Sequence, residues 1–201
     1  MGDETSNARS VPILWPHEGM TIADVDALSE RDGMRHGLVD GVHYELVDGA
    51  LIALSTPSIE HQDALFAIHV SLRATAPAVM QVVQGVGVVL AEDQRAAPDL
   101  VVVTHTPDRA LSNIPADHVA LVAEVVSTST RSTDRHLKHG LYSQAGIPCY
   151  LRVELDPLHI VAYRLGDDGV YEEEAGRAEP GEVLTLTEPF PITIDPAALA
   201  P

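Results

Sequence analysis

Three segments of this chain place apolar residues every three or four positions, as an amphipathic helix does. Ser58 is a good N-cap and Pro77 cannot continue a helix, so both ends of the second segment are marked. Ser132 or Thr133 is the expected cap of the third. The predicted helices span residues 21–30, residues 58–76, and the stretch from that cap through residue 145.

Short apolar runs between turn residues predict strands. Asp48-Gly49 separates two such runs, which is a strong signature of a tight β-hairpin. Residues 118–126 are almost wholly apolar, as expected for a central strand covered on both faces. Further strands are predicted at residues 82–90, 100–103, 149–154 and 159–164, with a turn at residues 92–95 and short terminal strands within residues 169–194.

Helices and strands are interleaved without an internal repeat or a domain linker, and 201 residues suit a single core. The pattern therefore predicts one α/β domain over residues 21–195. A flexible N-terminal tail, residues 1–20, precedes it, and a C-terminal tail, residues 196–201, follows.

Composition narrows the class of protein. No apolar run is long enough to span a membrane, and residues 1–10 lack the basic and apolar pattern of a secretory signal. The single cysteine, Cys149, excludes an internal disulfide and a cysteine-based zinc cage, and is expected in the core. We therefore expect a cytoplasmic protein with no membrane partner.

The formal net charge is −18, from 30 acidic residues against 12 lysines and arginines. This excess argues against tight, non-specific binding to nucleic acid, which depends on neutralising phosphates. It does not exclude a local cleft in which a bound divalent cation supplies positive charge.

Lys138 is the only lysine in the chain, and all other fixed positive side chains are arginines. Asp99 and Glu124 lie near the ends of two predicted strands, so both carboxylates are expected at one edge of a sheet. Two hard oxygen ligands with open positions suit Mg²⁺. An ammonium from the following helix can stabilise an anionic transition state. These three residues are the candidate catalytic residues, with Asp99 and Glu124 as metal ligands.

Each of these residues also has a plainer explanation. An acid after a proline at a strand start, such as Asp99, is common and inert. Glu124 would be costly to bury alone, and a structural ion pair with Arg131, Arg135 or Lys138 is the alternative to a metal. A single lysine can also result from arginine-biased coding.

An ordered set of motifs runs through most of residues 20–165. Its segments are Tyr44–Gly49, Ser55–Ser58 with His61, Pro98–Val103, Val122–Ser127, the Asp134–Tyr142 helix with Lys138, and Ala145–Pro148. In order and spacing this set resembles the Uma2-like group of restriction endonucleases, a bacterial family within the PD-(D/E)xK nuclease superfamily.

The resemblance implies a restriction-endonuclease-like core, an α/β fold with a mixed β-sheet flanked by helices and additional β-hairpins. It also implies hydrolysis of nucleic-acid phosphodiesters, with DNA the expected substrate, using Mg²⁺ or Mn²⁺. Asp99 and Glu124 would be metal ligands, the Val125 carbonyl a possible backbone ligand, and Lys138 the catalytic lysine. The superfamily's usual lysine stands two places after the acid, where this chain has Val126, so Lys138 on the next helix is a relocated equivalent.

Four residues are accessory candidates. Glu45 is either a third acid at the pocket or a strand residue facing solvent. Glu60 and His61 begin a helix that borders the expected cleft; His61 either contacts a phosphate or metal-bound water, or packs on the core. Tyr142, on the flank of its helix beside Lys138, either holds a phosphate or the lysine, or serves packing.

We therefore expect a metal-dependent endonuclease, and a homodimer because a duplex presents two strands related by a dyad. The alternative is a catalytically inactive nuclease-fold module with a binding or regulatory role, which the acidic charge and the displaced lysine favour. A third hypothesis is a structural protein in which the acidic cluster arose by chance.

Overall fold

The computed structural model describes residues 19–31, 38–39, 42–54, 56–105, 108, 111–126 and 137–199. Its helices are α1 (Ile22–Arg31), α2 (Ile59–Thr75) and α3 (His139–Gln144), with 3-10 turns at Ala116–His118 and Pro196–Leu199. Its strands are β1 (Leu38–Val39), β2 (Val42–Val47), β3 (Ala50–Ala53), β4 (Gln81–Gln84), β5 (Gly87–Ala91), β6 (Gln94–Ala96), β7 (Leu100–Val103), β8 (Asn113–Pro115), β9 (Val119–Val126), β10 (Cys149–Leu155), β11 (Leu158–Leu165), β12 (Tyr171–Ala178), β13 (Leu184–Leu186) and β14 (Ile192–Ile194). The α/β fold predicted from the sequence is confirmed.

The central sheet has the order β12-β11-β10-β9-β7-β4. It is mixed, because β9 and β10 are parallel while the other neighbouring pairs are antiparallel. Every residue of β9 is buried, as expected for a strand covered on both faces. One face packs against α2 and the terminal β13–β14 hairpin, and the other carries a cluster of tyrosines.

A second sheet has the order β1-β2-β6-β5-β8, with β3 paired to β2. Residues 82–90 were predicted as one strand, and this prediction is wrong. The chain leaves the central sheet at Gly85, which has a φ of 66°, and continues as β5 in the second sheet. Gln94 and Arg95, predicted in a turn, belong to β6. The second sheet therefore borders the central sheet through the short link between β6 and β7.

The helices begin where their caps predict. Thr21 and Asp24 bond reciprocally at the start of α1, with the Thr21 N–H donating to the Asp24 carboxylate over 2.8 Å. Ser58 accepts the His61 N–H over 3.2 Å at the start of α2. The expected cap of the third helix, Ser132 or Thr133, lies outside the described residues.

The β2–β3 hairpin turns at Asp48-Gly49, as predicted, with both residues at positive φ. A side chain at Gly49 would meet the backbone of Gly19 at 2.9 Å. Met20 is buried beside α1 and the hairpin, so the last two residues of the predicted N-terminal tail are packed. Residues 1–18 of that tail lie outside the described part of the chain.

The structure also describes residues 196–199 of the predicted C-terminal tail. Residues 196–199 form a 3-10 turn in which Pro196 and Leu199 are buried, and Leu199 belongs to the core beneath α2. Among the described helices, none combines the length and apolar character needed to cross a membrane.

Candidate active site

Strand pairing brings Asp99 and Glu124 together. Leu100 of β7 pairs with Ala123 of β9, so Asp99 and Glu124 face each other one residue further along the two strands. The Val125 N–H donates to Asp99 Oδ2 over 2.8 Å, which fixes this carboxylate against the end of β9. The prediction that both acids reach one edge of the sheet therefore agrees with the geometry.

Lys138 enters this edge from the start of α3. Its Nζ lies 3.0 Å from Glu124 Oε1 and also bonds to Glu45 Oε1. The lysine is only 4% exposed, so its side chain is buried within the cluster. It is buried because the start of α3 packs against the acidic end of the central sheet, where two carboxylates offset the cost of burying a charge.

Glu45 reaches the site from the second sheet. It lies on β2, is 4% exposed, and accepts both the Lys138 ammonium and the Ala97 N–H, the latter over 2.9 Å. Ala97 belongs to the link between β6 and β7, two residues before Asp99. Glu45 therefore faces inward rather than towards solvent, and the second sheet places an acid beside the end of the central sheet.

Tyr142 lies behind Glu124. Its hydroxyl bonds to Glu124 Oε1, and the side chain is fully buried. The ring of Tyr150 on β10 meets that of Tyr142 edge-on, with centroids 5.4 Å apart, and stacks on Tyr163 of β11. Tyr142 thus combines packing against the other tyrosines with a polar contact to Glu124.

His61 joins the cluster from the first turn of α2. Its Nε2 lies 3.2 Å from Asp99 Oδ1, so Asp99 is held by the histidine on one oxygen and by the Val125 N–H on the other. Glu60, its neighbour on α2, is exposed. The described contacts of the cluster do not include Glu60.

The electrostatic environment favours protonation of Glu124. Burial raises the pKa of Glu124 to about 8, the Lys138 ammonium opposes this rise, and the negative charges of Asp99 and Glu45 add to it. Burial lowers the pKa of Lys138, but Glu124 and Glu45 outweigh it and raise that pKa well above its ordinary value. The ammonium therefore stays charged, and burial, reinforced by the two neighbouring carboxylates, raises the pKa of Glu124.

Burial also lowers the pKa of His61, while its hydrogen bond to Asp99 and the charge of Asp99 reverse the effect, so the pKa is raised overall. Burial raises the pKa of Tyr142 well above its ordinary value, and the charge of Glu124 adds to the rise, so its hydroxyl remains a donor. The resulting cluster contains three carboxylates beside one fixed cation and one histidine.

The donor set fits a hard divalent cation. Within the described residues, no three His, Cys, Asp or Glu side chains are arranged as a ready-made metal cage. Asp99 and Glu124 nevertheless supply two carboxylates, and Asp99 is the more accessible, with 24% of its side chain exposed. Mg²⁺ is commonly held by one or two carboxylates and completes its shell with water. Each Asp99 oxygen has one polar contact and retains a second lone pair for a metal. Glu124 Oε1 already accepts from Lys138 and Tyr142, so Glu124 would bind a metal through Oε2.

One charged residue at this edge was not singled out from the sequence. Arg152 of β10 is the register partner of Glu124 across the parallel β9–β10 pair. Its sequence context is an ordinary apolar strand, and only the register of two strands distant in sequence places it beside the acids.

Comparison with known proteins gives this chain a similar fold and a family. A solved structure described as a putative nuclease belonging to DUF820, from Anabaena variabilis, is similar with a TM-score of 0.58 and 12% identity, over 78% of this chain and 89% of that chain. That likeness supports the nuclease-like fold predicted from the sequence. No curated protein matches the chain. The model of the Uma2 family, described as "Putative restriction endonuclease", matches residues 35–199, and the chain belongs to that family.

Proposed function

We propose that this protein is a metal-dependent endonuclease that hydrolyses phosphodiester bonds of nucleic acid, with DNA as substrate. The observation that carries the proposal is the convergence of Asp99, Glu124 and Lys138 at one end of the central sheet. Asp99 immediately precedes β7, Glu124 lies on β9, and Lys138 immediately precedes α3. Membership of the Uma2 family adds independent support.

Asp99 and Glu124 would hold Mg²⁺ or Mn²⁺, with the Val125 carbonyl as a possible further ligand. A metal in such a site lowers the pKa of bound water and stabilises charge developing on a phosphodiester. The chain's own residues prepare that site: His61 and the Val125 N–H orient Asp99, and Tyr142 and Lys138 orient Glu124.

Lys138 supplies the fixed positive charge. Two of its three N–H donors are directed to Glu45 and Glu124. The described residues give the third no hydrogen-bond partner, and we assign it to an anionic oxygen of the substrate. A buried ammonium acts strongly on nearby charge because little water screens it. We assign Lys138 the stabilisation of the oxyanion, with Glu45 as its positioning partner.

The direct test compares the wild type with Asp99→Asn on supercoiled plasmid DNA and on labelled RNA, with Mg²⁺, Mn²⁺ or EDTA. We expect metal-dependent nicking by the wild type only. Asp63→Asn is the matched control, because Asp63 is an exposed carboxylate on α2. Nicking that persists in Asp99→Asn, or in EDTA, contradicts the proposal.

The second candidate is a nuclease-fold module that binds nucleic acid without cleaving it. The net charge of −18 and the engagement of Lys138 with two carboxylates favour it. It predicts equal nucleic-acid affinity for the wild type and Asp99→Asn, and no cleavage with either metal. A homodimeric, cytoplasmic form of the protein remains part of the proposal, and sedimentation in solution tests the dimer.

A further inference from the structure

The acids of the site continue into a row of side chains that crosses the central sheet. Glu124 of β9 pairs with Arg152 of β10, Arg152 with Val161 of β11, and Val161 with Arg177 of β12. Directly paired residues project from the same face of a sheet. The row therefore begins at Asp99 and Glu124 and places two arginines on the same face, beyond the carboxylates.

Arg152 is held close to the site. Its guanidinium carbon lies 5.3 Å from the centre of the Tyr163 ring, a cation–π geometry that orients the planar group. Its Nε lies 3.2 Å from Glu154 Oε1 but makes no well-aligned hydrogen bond. The side chain is 15% exposed. It is thus an oriented cation with an unsatisfied buried donor, one strand away from Glu124.

Arg177 is the open end of the row. Its side chain is 53% exposed and lies 3.1 Å from that of Glu179, the residue that follows the end of β12. An exposed pair of this kind contributes little to stability. Its guanidinium can therefore exchange the carboxylate for another anion at small cost.

A nucleic-acid substrate must approach a cluster of carboxylates on a chain of net charge −18. Phosphates are repelled by such a surface unless fixed cations lie beside the reacting centre. Arginine is suited to this task because its planar fork bonds two phosphate oxygens at once.

We propose that Arg152 and Arg177 contact the phosphate backbone of the substrate, which crosses β10, β11 and β12 away from the acids. The proposal rests on the nucleic-acid substrate proposed above and assigns it a direction on the protein surface. Adjacent strands lie about 4.8 Å apart, so the two arginines, separated by one strand, address different phosphates of one backbone.

Binding in EDTA tests the direction without cleavage. The anisotropy of a short fluorescein-labelled DNA duplex, its single strand and the matching RNA is measured with Asp99→Asn as the parent protein. Two double variants are compared with this parent: one adds Arg152→Ala to Asp99→Asn, and the other adds Arg177→Ala. We expect each to weaken binding to the preferred probe about tenfold and to reduce the slope of log K against log salt by about one.

Arg164→Ala is the matched control. Arg164 is 52% exposed and lies 2.8 Å from Glu172, so it resembles Arg177 in exposure and pairing. Its register partner is Cys149, whose side chain belongs to the core on the opposite face of the sheet. We expect this variant to bind like the parent.

Equal losses in all three variants would show a bulk charge effect and overturn the proposal, as would parental affinity in both Arg152→Ala and Arg177→Ala. Failure of the parent to bind any probe also overturns it. If thermal melting shows that Arg152→Ala is unfolded, the exposed Arg177→Ala decides the outcome. If binding depends on the two arginines but the wild type does not cleave, only the endonuclease proposal is contradicted. If the wild type cleaves but binding does not depend on the arginines, only the present proposal is contradicted.

Discussion

A buried ion pair joins Lys138, the residue immediately before α3, to Glu45 of β2, 93 residues away in the sequence. The same ammonium lies 3.0 Å from Glu124. One side chain thus ties the second sheet, the central sheet and the third helix together at the candidate active site. A charge in this position serves the fold as well as the chemistry.

Lys138→Met is therefore expected to destabilise the protein as well as to abolish activity. It leaves Glu45 and Glu124 buried without their cation, and removal of one partner from a buried pair costs about 3–5 kcal/mol. Urea unfolding measures the loss. Arg164→Met, which removes an exposed cation, is the control and should leave the urea midpoint nearly unchanged.

The Lys138→Met, Glu45→Gln and double variants complete a thermodynamic cycle. We expect the double variant to be more stable than the sum of the single losses predicts, by at least about 1 kcal/mol. Strict additivity would mean that Glu45 and Lys138 do not interact energetically.

Tyr142 and Tyr150 provide a second matched pair, because both rings are fully buried but only the Tyr142 hydroxyl has a hydrogen bond in the described structure. Tyr142→Phe leaves Glu124 without that donor and is expected to cost about 1–3 kcal/mol. Tyr150→Phe should leave stability unchanged or slightly raised. Thermal and urea unfolding compare them, and equal losses would contradict the assigned role of Tyr142.

His61 is expected to act as a positioning residue for Asp99. Replacement of a residue that orients a metal ligand lowers metal affinity or activity about 10- to 100-fold, so His61→Ala should weaken Mn²⁺ binding measured by calorimetry. His61→Gln, which can still donate to Asp99, should recover part of the affinity. Glu60→Ala is the control, because it alters the exposed neighbour of His61 on the same helical turn, and its Mn²⁺ affinity should match that of the wild type. A loss of affinity as large as in His61→Ala would contradict the role assigned to His61.

Cys149 is expected to be unreactive in the native protein. Burial raises the pKa of its thiol from 9.0 to about 11, with a further rise from Glu188. At pH 8 the thiolate fraction is then about a hundredfold smaller than in the unfolded chain. A thiol-exchange reagent at pH 8 should react slowly with native protein and rapidly in guanidinium.

The same shift has a definite sign for stability. The folded state favours the neutral thiol, so its contribution is fully present below about pH 9 and is lost as pH rises through about 11. Cys149→Ala should therefore flatten the decline of stability over this alkaline range. An unchanged decline would show that the thiol does not contribute to it.

Interactions between residues close in sequence explain most of the features that the sequence alone predicted correctly. Thr21 and Ser58 cap helices because their hydroxyls accept nearby backbone N–H groups, and Asp48-Gly49 turns a hairpin because both residues adopt positive φ. These interactions lie within a few residues, and the motif order around Asp99, Glu124 and Lys138 is likewise a property of the linear sequence.

Contacts between segments that are distant in the sequence could be identified only from the tertiary structure. Residues 82–90 look like one strand, yet Gly85 divides them between two sheets because each half finds a different partner. Whether Glu45 faces inward depends on Lys138, and whether Arg152 lies beside Glu124 depends on the register of β9 and β10. Periodicity reports which residues can be buried, but the partners of a buried charge are set by strand pairing and helix docking between distant parts of the chain.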